Sequence, residues 1–121
     1  MSIKNYKDMI VWQKSMALVE KIFINTELLP KSQTYGLALQ MQRAAVSIPS
    51  NIAEGQERNS TKEFIHFLLI AQGSRAELET QLLICERLNY IPGEIIAELI
   101  NLCDEIGRML NSIIYKLQSR I

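Results

Sequence analysis

Residues 95–117 decide the fold class, and they read IIAELINLCDEIGRMLNSIIYKL. Apolar side chains recur here at the a and d positions of consecutive heptads, the spacing that aligns one face of a long helix. A third apolar row beside these two widens the face. The rows are Ile96, Cys103, Leu110 and Leu117; Leu99, Ile106 and Ile113; and Ile95, Leu102 and Met109. This stretch predicts a long amphipathic helix.

Three more helices are predicted upstream by periodicity and by end signals. The first runs from about Asn5, an N-cap residue, to Leu28, and Pro30 ends it because the residue before a proline disfavours the α region. Two apolar stripes run along it. They are Trp12, Met16, Val19 and Phe23, and Val11, Leu18 and Ile22.

The second helix is predicted from about Thr34 to Glu54, with Gly55 as a left-handed C-cap. Ser60 and Glu63 form a capping box at the start of the third helix. Its predicted apolar side is Phe64, Phe67, Ala71, Leu78, Leu82, Cys85 and Leu88. Pro92 is expected in the first turn of the fourth helix, where its missing N–H costs nothing.

Four helices with short connections predict an all-α fold, an antiparallel up-down-up-down four-helix bundle formed by one domain over residues 1–121. Gly73 and Gly107, single glycines inside helices, indicate close helix packing. The doubled apolar stripes of the first and fourth helices exceed what so small a bundle can bury. We therefore expect a homo-oligomer, because a large exposed apolar patch usually marks an interface.

Basic and acidic side chains number 13 each, so the formal charge is zero. This balance argues against bulk attraction to nucleic acid, because phosphate binding scales with the Lys and Arg presented. Residues 1–75 carry nine basic and six acidic side chains, and residues 76–121 carry four and seven. We expect the two halves to neutralise each other in the folded bundle.

The sequence predicts a cytoplasmic protein with no membrane association. No apolar run approaches the roughly 20 residues of a membrane span, and residues 1–7 lack the apolar core of a signal peptide. Cys85 and Cys103 lie at apolar helix positions, which indicates two buried free thiols. A disulfide between the third and fourth helices is the alternative.

Residues 42–55 read QRAAVSIPSNIAEG and place Pro49 inside the second helix. An interior proline costs about 3 kcal/mol unless its kink is used, so we expect a bend there. A polar stripe accompanies it, formed by Arg43, Ser47, Ser50 and Glu54, with Asn51 beside them. The stripe either satisfies polar groups that the kink frees, with Arg43 and Glu54 linking helices, or forms a binding surface.

Residues 43–55 resemble the signature of the four-helix-bundle proteins encoded in intervening sequences of bacterial 23S ribosomal RNA genes, also called ribosomal-protein-like intervening-sequence proteins. The likeness covers essentially the whole chain. Flanking matches are Val11-Trp12-Gln13-Lys14, Tyr35-Gly36-Leu37, Lys62-Glu63-Phe64 and Ala71-Gln72-Gly73-Ser74. The signature positions are Arg43, Ser47, Pro49, Ser50, Asn51, Glu54 and Gly55.

The resemblance implies a bundle that assembles into a pentamer-like ring. It also implies kinship with the accessory variability protein of diversity-generating retroelements, which is similar in fold and works with RNA and a reverse transcriptase. This chain departs from the family pattern at Gln42, where a second arginine is usual, and at Gln56-Glu57-Arg58, where similar proteins are more basic. Both departures remove positive charge and so weaken the expectation of nucleic-acid binding.

Residue patterns typical of catalysis or metal binding are absent. Glu63 and His66 form one Glu-x-x-His unit, but a di-iron bundle needs two such units and further carboxylates. His66 is the single histidine, which excludes a multi-histidine zinc site and a strong nucleophile–base pair. No Gly-rich phosphate loop occurs. We expect no enzyme activity, no metal and no cofactor.

Two function hypotheses follow. The first is a non-enzymatic oligomeric adaptor that contacts RNA or a ribonucleoprotein through basic residues of the first three helices. The alternative is a protein–protein scaffold that binds no nucleic acid, in keeping with the zero net charge. The candidate basic residues are Lys14, Lys21, Arg43, Arg58, Lys62 and Arg75. A continuous basic rim would favour the adaptor, and scattered charges would favour the scaffold.

Overall fold

The computed structural model describes residues 5–121, whose regular secondary structure is entirely helical, so the predicted all-α class with four helices is confirmed. The four α-helices are α1 (Ile10–Asn25), α2 (Leu37–Gln56), α3 (Thr61–Arg87) and α4 (Gly93–Gln118). Short 3-10 turns occupy Tyr6–Asp8, Thr26–Leu28 and Lys31–Gln33. Within the described range, every helix is too short or too polar to span a membrane.

The four helices pack around one continuous core. α1 contacts α2 and α4, and α3 contacts the same two helices, with the most extensive contact between α2 and α3. Lys14 of α1 pairs with Glu105 of α4, whereas Lys21, further along α1, pairs with Glu98, which comes earlier in α4. This opposite progression is the pattern expected of antiparallel neighbours.

α1 is shorter than the predicted helix from Asn5 to Leu28, because a 3-10 turn flanks it on each side. The Asn5 side chain accepts a hydrogen bond from the Lys7 N–H at 2.9 Å, so it caps the first 3-10 turn. Met9, with extended backbone angles, separates that turn from α1. The predicted boundary of α1 at Asn5 is therefore wrong.

Gly55 is not the left-handed cap that the sequence predicts. α2 begins at Leu37 and continues through Gln56, and Gly55 lies buried inside it without a positive φ. A Cβ at Gly55 would lie 2.7 Å from the Phe67 Cβ and 3.0 Å from the Phe64 Cδ1. The glycine is needed because α3 approaches α2 this closely.

Pro49 lies in the interior of α2, as predicted, and is buried. Since it has no N–H, it deprives the Ala45 carbonyl of its usual helical donor. Ala44 and Ala45 are also buried, so this part of α2 presents small side chains to the core. The bend expected at Pro49 stays a prediction.

The starts of α3 and α4 follow their end signals to within a residue. The Ser60 Oγ accepts a hydrogen bond from the Glu63 N–H at 3.2 Å, which confirms Ser60 as the N-cap of α3. Asn89 adopts a positive φ of 57° in the turn after α3. Pro92 occupies the cap position of α4 and not its first turn, since that helix begins at Gly93.

Each helix buries one apolar stripe, and α1 leaves a second one partly exposed. The buried stripe of α1 is Val11, Ser15, Leu18 and Ile22. Of the other predicted stripe, Met16 is 38% and Phe23 43% exposed.

In α4 the a and d rows are buried, except that Ile113 is half-buried beside a buried Ile114. The third α4 row is half-buried against the core, so the predicted surplus exists on α1 but not on α4.

Both cysteines are buried and free, as predicted. Burial raises the pKa of Cys85 and raises that of Cys103 to about 12, so both thiols stay protonated.

A Cβ at Gly107 would lie 2.7 Å from the Arg75 Nε, which confirms close packing there. Gly73 is exposed, and a Cβ would meet no atom within 4 Å, so the expectation of close packing is wrong for Gly73 within one copy.

Two glycine substitutions test the closeness of α2 and α3. Gly55→Ala adds a methyl group where Phe67 leaves no room, so we expect the free energy of unfolding to fall by about 1–3 kcal/mol. Gly73→Ala is the matched control, because it adds the same group on an open helix surface, and we expect a gain of up to about 1 kcal/mol. Urea denaturation at low protein concentration measures both. Equal stability of the two variants would contradict this packing.

Candidate functional site

The six basic residues predicted to meet nucleic acid are spread over α1, α2, α3 and the turn between α2 and α3. Lys14 and Lys21 lie on the side of α1 that faces α4, where each pairs with a glutamate, Glu105 or Glu98, at 3.2 Å. These pairs join the basic first half of the chain to the acidic second half, as the charge distribution predicts. Being solvent-exposed, they add little to stability.

Arg58 links the end of α2 to the start of α3. Its Nη2 donates to the Glu54 Oε1 at 3.0 Å, and its Nη1 lies 4.0 Å from the Glu63 Oε1. The guanidinium also lies 5.0 Å from the centroid of the Phe67 ring, a cation–π distance. These contacts give Arg58 a structural role.

Arg75 belongs to a polar cluster between α3 and α4. Its Nε donates to the Gln72 Oε1 at 2.7 Å, and its Nη1 lies 3.7 Å from the Glu79 Oε1. Gln72 in turn donates through Nε2 to the Gly107 carbonyl at 2.8 Å and to the Asn111 Oδ1 at 2.7 Å. The cluster connects α3 to α4, and within it the guanidinium of Arg75 is bound to Gln72 and Glu79.

Glu79 completes this cluster as a carboxyl with a shifted pKa. Burial raises its pKa, and two effects of Asp104 raise it further: a hydrogen bond that protonated Glu79 donates to Asp104, and charge repulsion between the two carboxylates. The positive charge of Arg75 partly opposes the shift. Its Oε1 is buried and accepts no hydrogen bond from the described residues. Glu79 therefore takes up a proton at a higher pH than an ordinary glutamate.

Arg43 and Lys62 differ from the other four basic residues. Both are exposed, and their charged groups form no ion pair or hydrogen bond with any of residues 5–121. Lys62 lies in the first turn of α3, and Arg43 lies on α2 beside an apolar groove. Two of the six candidate cations therefore have no partner among residues 5–121.

The apolar groove runs between α1 and α2, and we call it the α1–α2 groove. Two adjoining cavities of about 310 Å³ each form it, and Val46 lines both. Phe23, Leu39, Gln42, Arg43 and Ser47 complete the upper cavity. Tyr6, Trp12, Met16, Val19, Pro49, Ser50 and Ala53 complete the lower one. Apolar side chains dominate the lining, the character of a protein-binding surface.

The signature segment supplies the α2 wall of this groove. Ser47 lies with its Oγ 2.7 Å from the Ser74 Oγ of α3, and the Asn51 Nδ2 donates to the Ser47 Oγ at 2.9 Å and to the Ser47 carbonyl at 2.8 Å. These bonds pair the polar side chains of Ser47 and Asn51 next to Pro49. The expectation that the stripe satisfies groups freed by a kink stays a prediction. Ser50 is exposed and lines the lower cavity.

Two signature residues do not have the structural role expected of them. Glu54 pairs with Arg58 one turn later and Arg43 pairs with no described residue, so the expected link between helices through Arg43 and Glu54 is wrong. Gln42, which stands where the family usually has arginine, donates through Nε2 to the Thr26 Oγ1 at 3.1 Å. This bond ties α2 to the end of α1.

Glu63 and His66 do not meet other potential metal ligands. The Glu63 carboxylate faces Arg58, and the exposed His66 ring lies edge-on to Phe67 with the ring centroids 5.5 Å apart. In the part of the chain that the structure describes, no cluster of three or more His, Cys, Asp or Glu side chains could hold a metal ion.

Comparison with known protein families matches residues 7–112 to the family described as 23S rRNA-intervening sequence protein. The chain belongs to the 23S rRNA-intervening sequence protein family. The match includes the whole signature segment and the greater part of α4. The family resemblance inferred from the sequence is confirmed.

A crystal structure of a similar protein has the same fold. It is of a protein with unknown function from the S23 ribosomal protein family of Bacteroides thetaiotaomicron VPI-5482. The two chains are 31% identical, the alignment covers 87% of this chain and 98% of that one, and the TM-score is 0.81. A comparison with curated proteins finds no match.

Helical periodicity does not reveal a second apolar surface, which lies on α3 opposite the core. Leu69, Ile70, Leu83 and Ile84 are 39–53% exposed there. We call this surface the α3 outer face, and it comprises Leu69, Ile70, Gly73, Ala76, Glu77, Thr80, Leu83 and Ile84. Apolar residues occur on several sides of α3, so a single buried stripe does not account for all of them. The repeated Leu-Ile pair is the signal that could have identified this surface.

Glu79→Gln tests the shifted carboxyl. Because the folded-state pKa of Glu79 lies above its unfolded-state value, its contribution to stability falls as pH rises through that interval and then levels off. The amide keeps a donor towards Asp104 without titrating. We expect the variant to melt a few degrees above the wild type at pH 7, with the difference shrinking as pH falls towards 4.5, the ordinary pKa of a glutamate. Thermal unfolding followed across pH measures this, and a pH-independent difference would contradict it.

Arg58→Ala and Lys62→Ala separate a structural cation from a free one. Removing Arg58 loses one charge-assisted hydrogen bond and one cation–π contact, so we expect about 1–2 kcal/mol less stability after allowance for its exposure. Lys62→Ala should stay within about 0.5 kcal/mol of the wild type. Chemical denaturation compares the two, and equal losses would show that Arg58 has no special structural role.

Proposed function

We propose that the protein is a non-enzymatic homo-oligomeric scaffold that works through protein–protein contacts, and that assembly buries the α1–α2 groove. The groove carries the proposal, because it exposes large apolar side chains that the core of one copy does not use. Met16, Phe23 and Val46 are 38–43% exposed along it. Contiguous apolar surface of this kind usually marks an interface in a soluble protein.

Residue type also supports an interface. Trp12, Met16 and Phe23 belong to the classes enriched at the centres of protein–protein interfaces, where rigid or polarizable side chains fill pockets. A ring of five copies is our expectation from the family resemblance. A cytoplasmic location is supported by the two free thiols, which are typical of proteins in a reducing compartment.

The non-enzymatic part of the proposal is supported by where the unusual ionisable groups lie. Glu79 and Cys103 have raised pKa values because they are packed between helices, away from the groove. Perturbed groups are expected inside a cleft when they serve catalysis. The groove instead has Arg43 as its charged lining residue, with Tyr6 at its lower end.

Contact with RNA or a ribonucleoprotein is the second candidate function. Arg43 and Lys62 favour it, since their charges are exposed and free of partners in the described chain. The other four candidates lie in ion pairs with glutamates, so phosphate would have to compete for them. This difference is why we place the scaffold first.

Light scattering at micromolar concentration tests self-association. We expect a mass several times the 13.9 kDa of one chain, and five times that mass for a five-membered ring. Phe23→Glu sets a charge in the upper cavity and should lower the mass to that of one chain. Tyr115→Glu, on the outer surface of α4 where Tyr115 is 76% exposed, is the control and should leave the mass unchanged. A wild-type mass near that of one chain would refute the proposal.

Titration with structured ribosomal RNA fragments at about 50 mM salt separates the two functions. The scaffold predicts no binding at tens of micromolar protein. The adaptor predicts weak binding whose salt dependence flattens by roughly one unit in Arg43→Ala and again in Lys62→Ala. Arg58→Ala serves as the comparison, because its ion pairs assign it to stability. Salt-dependent binding lost in the first two variants would make the adaptor the better description.

A further inference from the structure

We propose that copies of this chain assemble head to tail, with the α3 outer face of one copy seated in the α1–α2 groove of the next. The inference rests on the proposed self-association and adds which two surfaces meet. Both surfaces are apolar and exposed in the single chain, yet they lie on different parts of the bundle. The groove is a concave apolar surface that a helix could fill, and the α3 outer face is an exposed apolar helix surface that could fill it.

The two surfaces have the same length, and the α3 outer face has as many Leu-Ile pairs as the groove has cavities. Fourteen residues separate Leu69 from Leu83 on α3, and fourteen separate Leu39 from Ala53 along the α2 wall of the groove. At 1.5 Å per residue, both spans are about 21 Å. The α3 outer face carries two protruding Leu-Ile pairs, and the groove offers two cavities to receive them.

The centre of each surface fits the centre of the other. Val46 separates the two cavities and is 41% exposed, so it forms a ridge across the groove. Between the two Leu-Ile pairs, the α3 outer face carries small residues, Gly73 and Ala76, over which such a ridge can lie. The open space around Gly73, unexplained within one copy, gains a role in this contact.

Charge at the centre is complementary as well. Arg43 lies one helical turn before Val46 and has no partner among the described residues. Glu77 lies midway between Ile70 and Ile84 and is exposed on the α3 outer face. The 95% buried Gln81 donates from its Nε2 to the Glu77 Oε2 at 3.3 Å, which orients the carboxylate. Arg43 of one copy is therefore placed to pair with Glu77 of the next.

The arrangement of the helices favours a heterologous contact over a two-fold one. α1 and α3 do not touch within the bundle, so the groove and the α3 outer face point in different directions. A concave groove cannot pair with its own copy as well as it pairs with a convex face. Repeated head-to-tail contacts give a ring when the rotation between neighbouring copies closes, and an open filament when it does not.

Mixing two folded variants tests this arrangement. Val46→Glu blocks the groove and leaves the α3 outer face intact, whereas Leu83→Glu does the reverse. We expect each variant alone to have the mass of one chain by light scattering, and an equimolar mixture to form a complex of two chains, because only one intact pair of surfaces is present. Tyr115→Glu is the matched control and should assemble like the wild type. Circular dichroism checks that each variant is folded, and Phe23→Glu with Leu69→Glu replaces any variant that is not.

Each other outcome has a distinct meaning. A wild type that is itself a single chain overturns the proposed self-association, and the head-to-tail contact with it. An oligomeric wild type whose assembly survives either substitution shows that self-association is right and this pairing of surfaces is wrong. Two monomeric variants that fail to form a complex when mixed also overturn the head-to-tail contact, because the mixture supplies one intact α1–α2 groove and one intact α3 outer face that then do not bind each other.

A charge exchange tests the contact at its centre. Arg43→Glu and Glu77→Arg each set like charges opposite one another, so we expect each to weaken assembly by about tenfold or more. The double variant restores an opposite-charge pair and should return the dissociation constant to within about threefold of the wild type. Arg108→Glu, on the exposed side of α4, controls for net charge. Additive weakening in the double variant would overturn the pairing of Arg43 with Glu77.

Discussion

The close approach of α2 to α3 is the contact on which the other features depend. At Gly55 the two helices leave no room for a methyl group, and the hydroxyls of Ser47 and Ser74 meet at 2.7 Å two turns earlier along α2. Because that side of α2 is committed to α3, Val46 and Ser50 face outward. One side of the signature segment therefore packs against α3, and its other side forms a wall of the α1–α2 groove.

The bundle also leaves more apolar surface exposed than a single copy can use. α1 contributes Met16 and Phe23, and α3 contributes its two Leu-Ile pairs, while the exposed side of α4 is polar in most places. Four of the six candidate cations already form ion pairs with glutamates. The α1–α2 groove is therefore a better candidate for a binding surface than these cations are. Membership of the 23S rRNA-intervening sequence protein family agrees with the fold and does not by itself supply an activity.

The fold could be predicted from the sequence because each helix carries a strong local signal, such as the heptads of α4 or the Ser60 cap of α3. The sequence-based predictions are wrong at positions whose structure depends on residues distant in the sequence. Gly55 has the composition of a helix cap, but the proximity of Phe67 keeps it inside α2. Arg58 and Arg75 are cations in the sequence, yet their partners come from neighbouring turns and the facing helix. The α3 outer face could not be predicted from periodicity, because apolar residues occur on several sides of α3 and form no single stripe.

If the native oligomer covers the α1–α2 groove, the exposure of Trp12 to solvent should change when the oligomer is dissociated. Trp12 is the single tryptophan of the sequence and lines the lower cavity. Acrylamide quenching of its fluorescence should be compared between the wild type and Phe23→Glu, whose substitution lies in the other cavity. We expect the fluorescence of Trp12 to be markedly less quenched in the wild type than in the folded variant, because a neighbouring copy covers the lower cavity in the wild type. Equal quenching in the two folded proteins at the same concentration would contradict it.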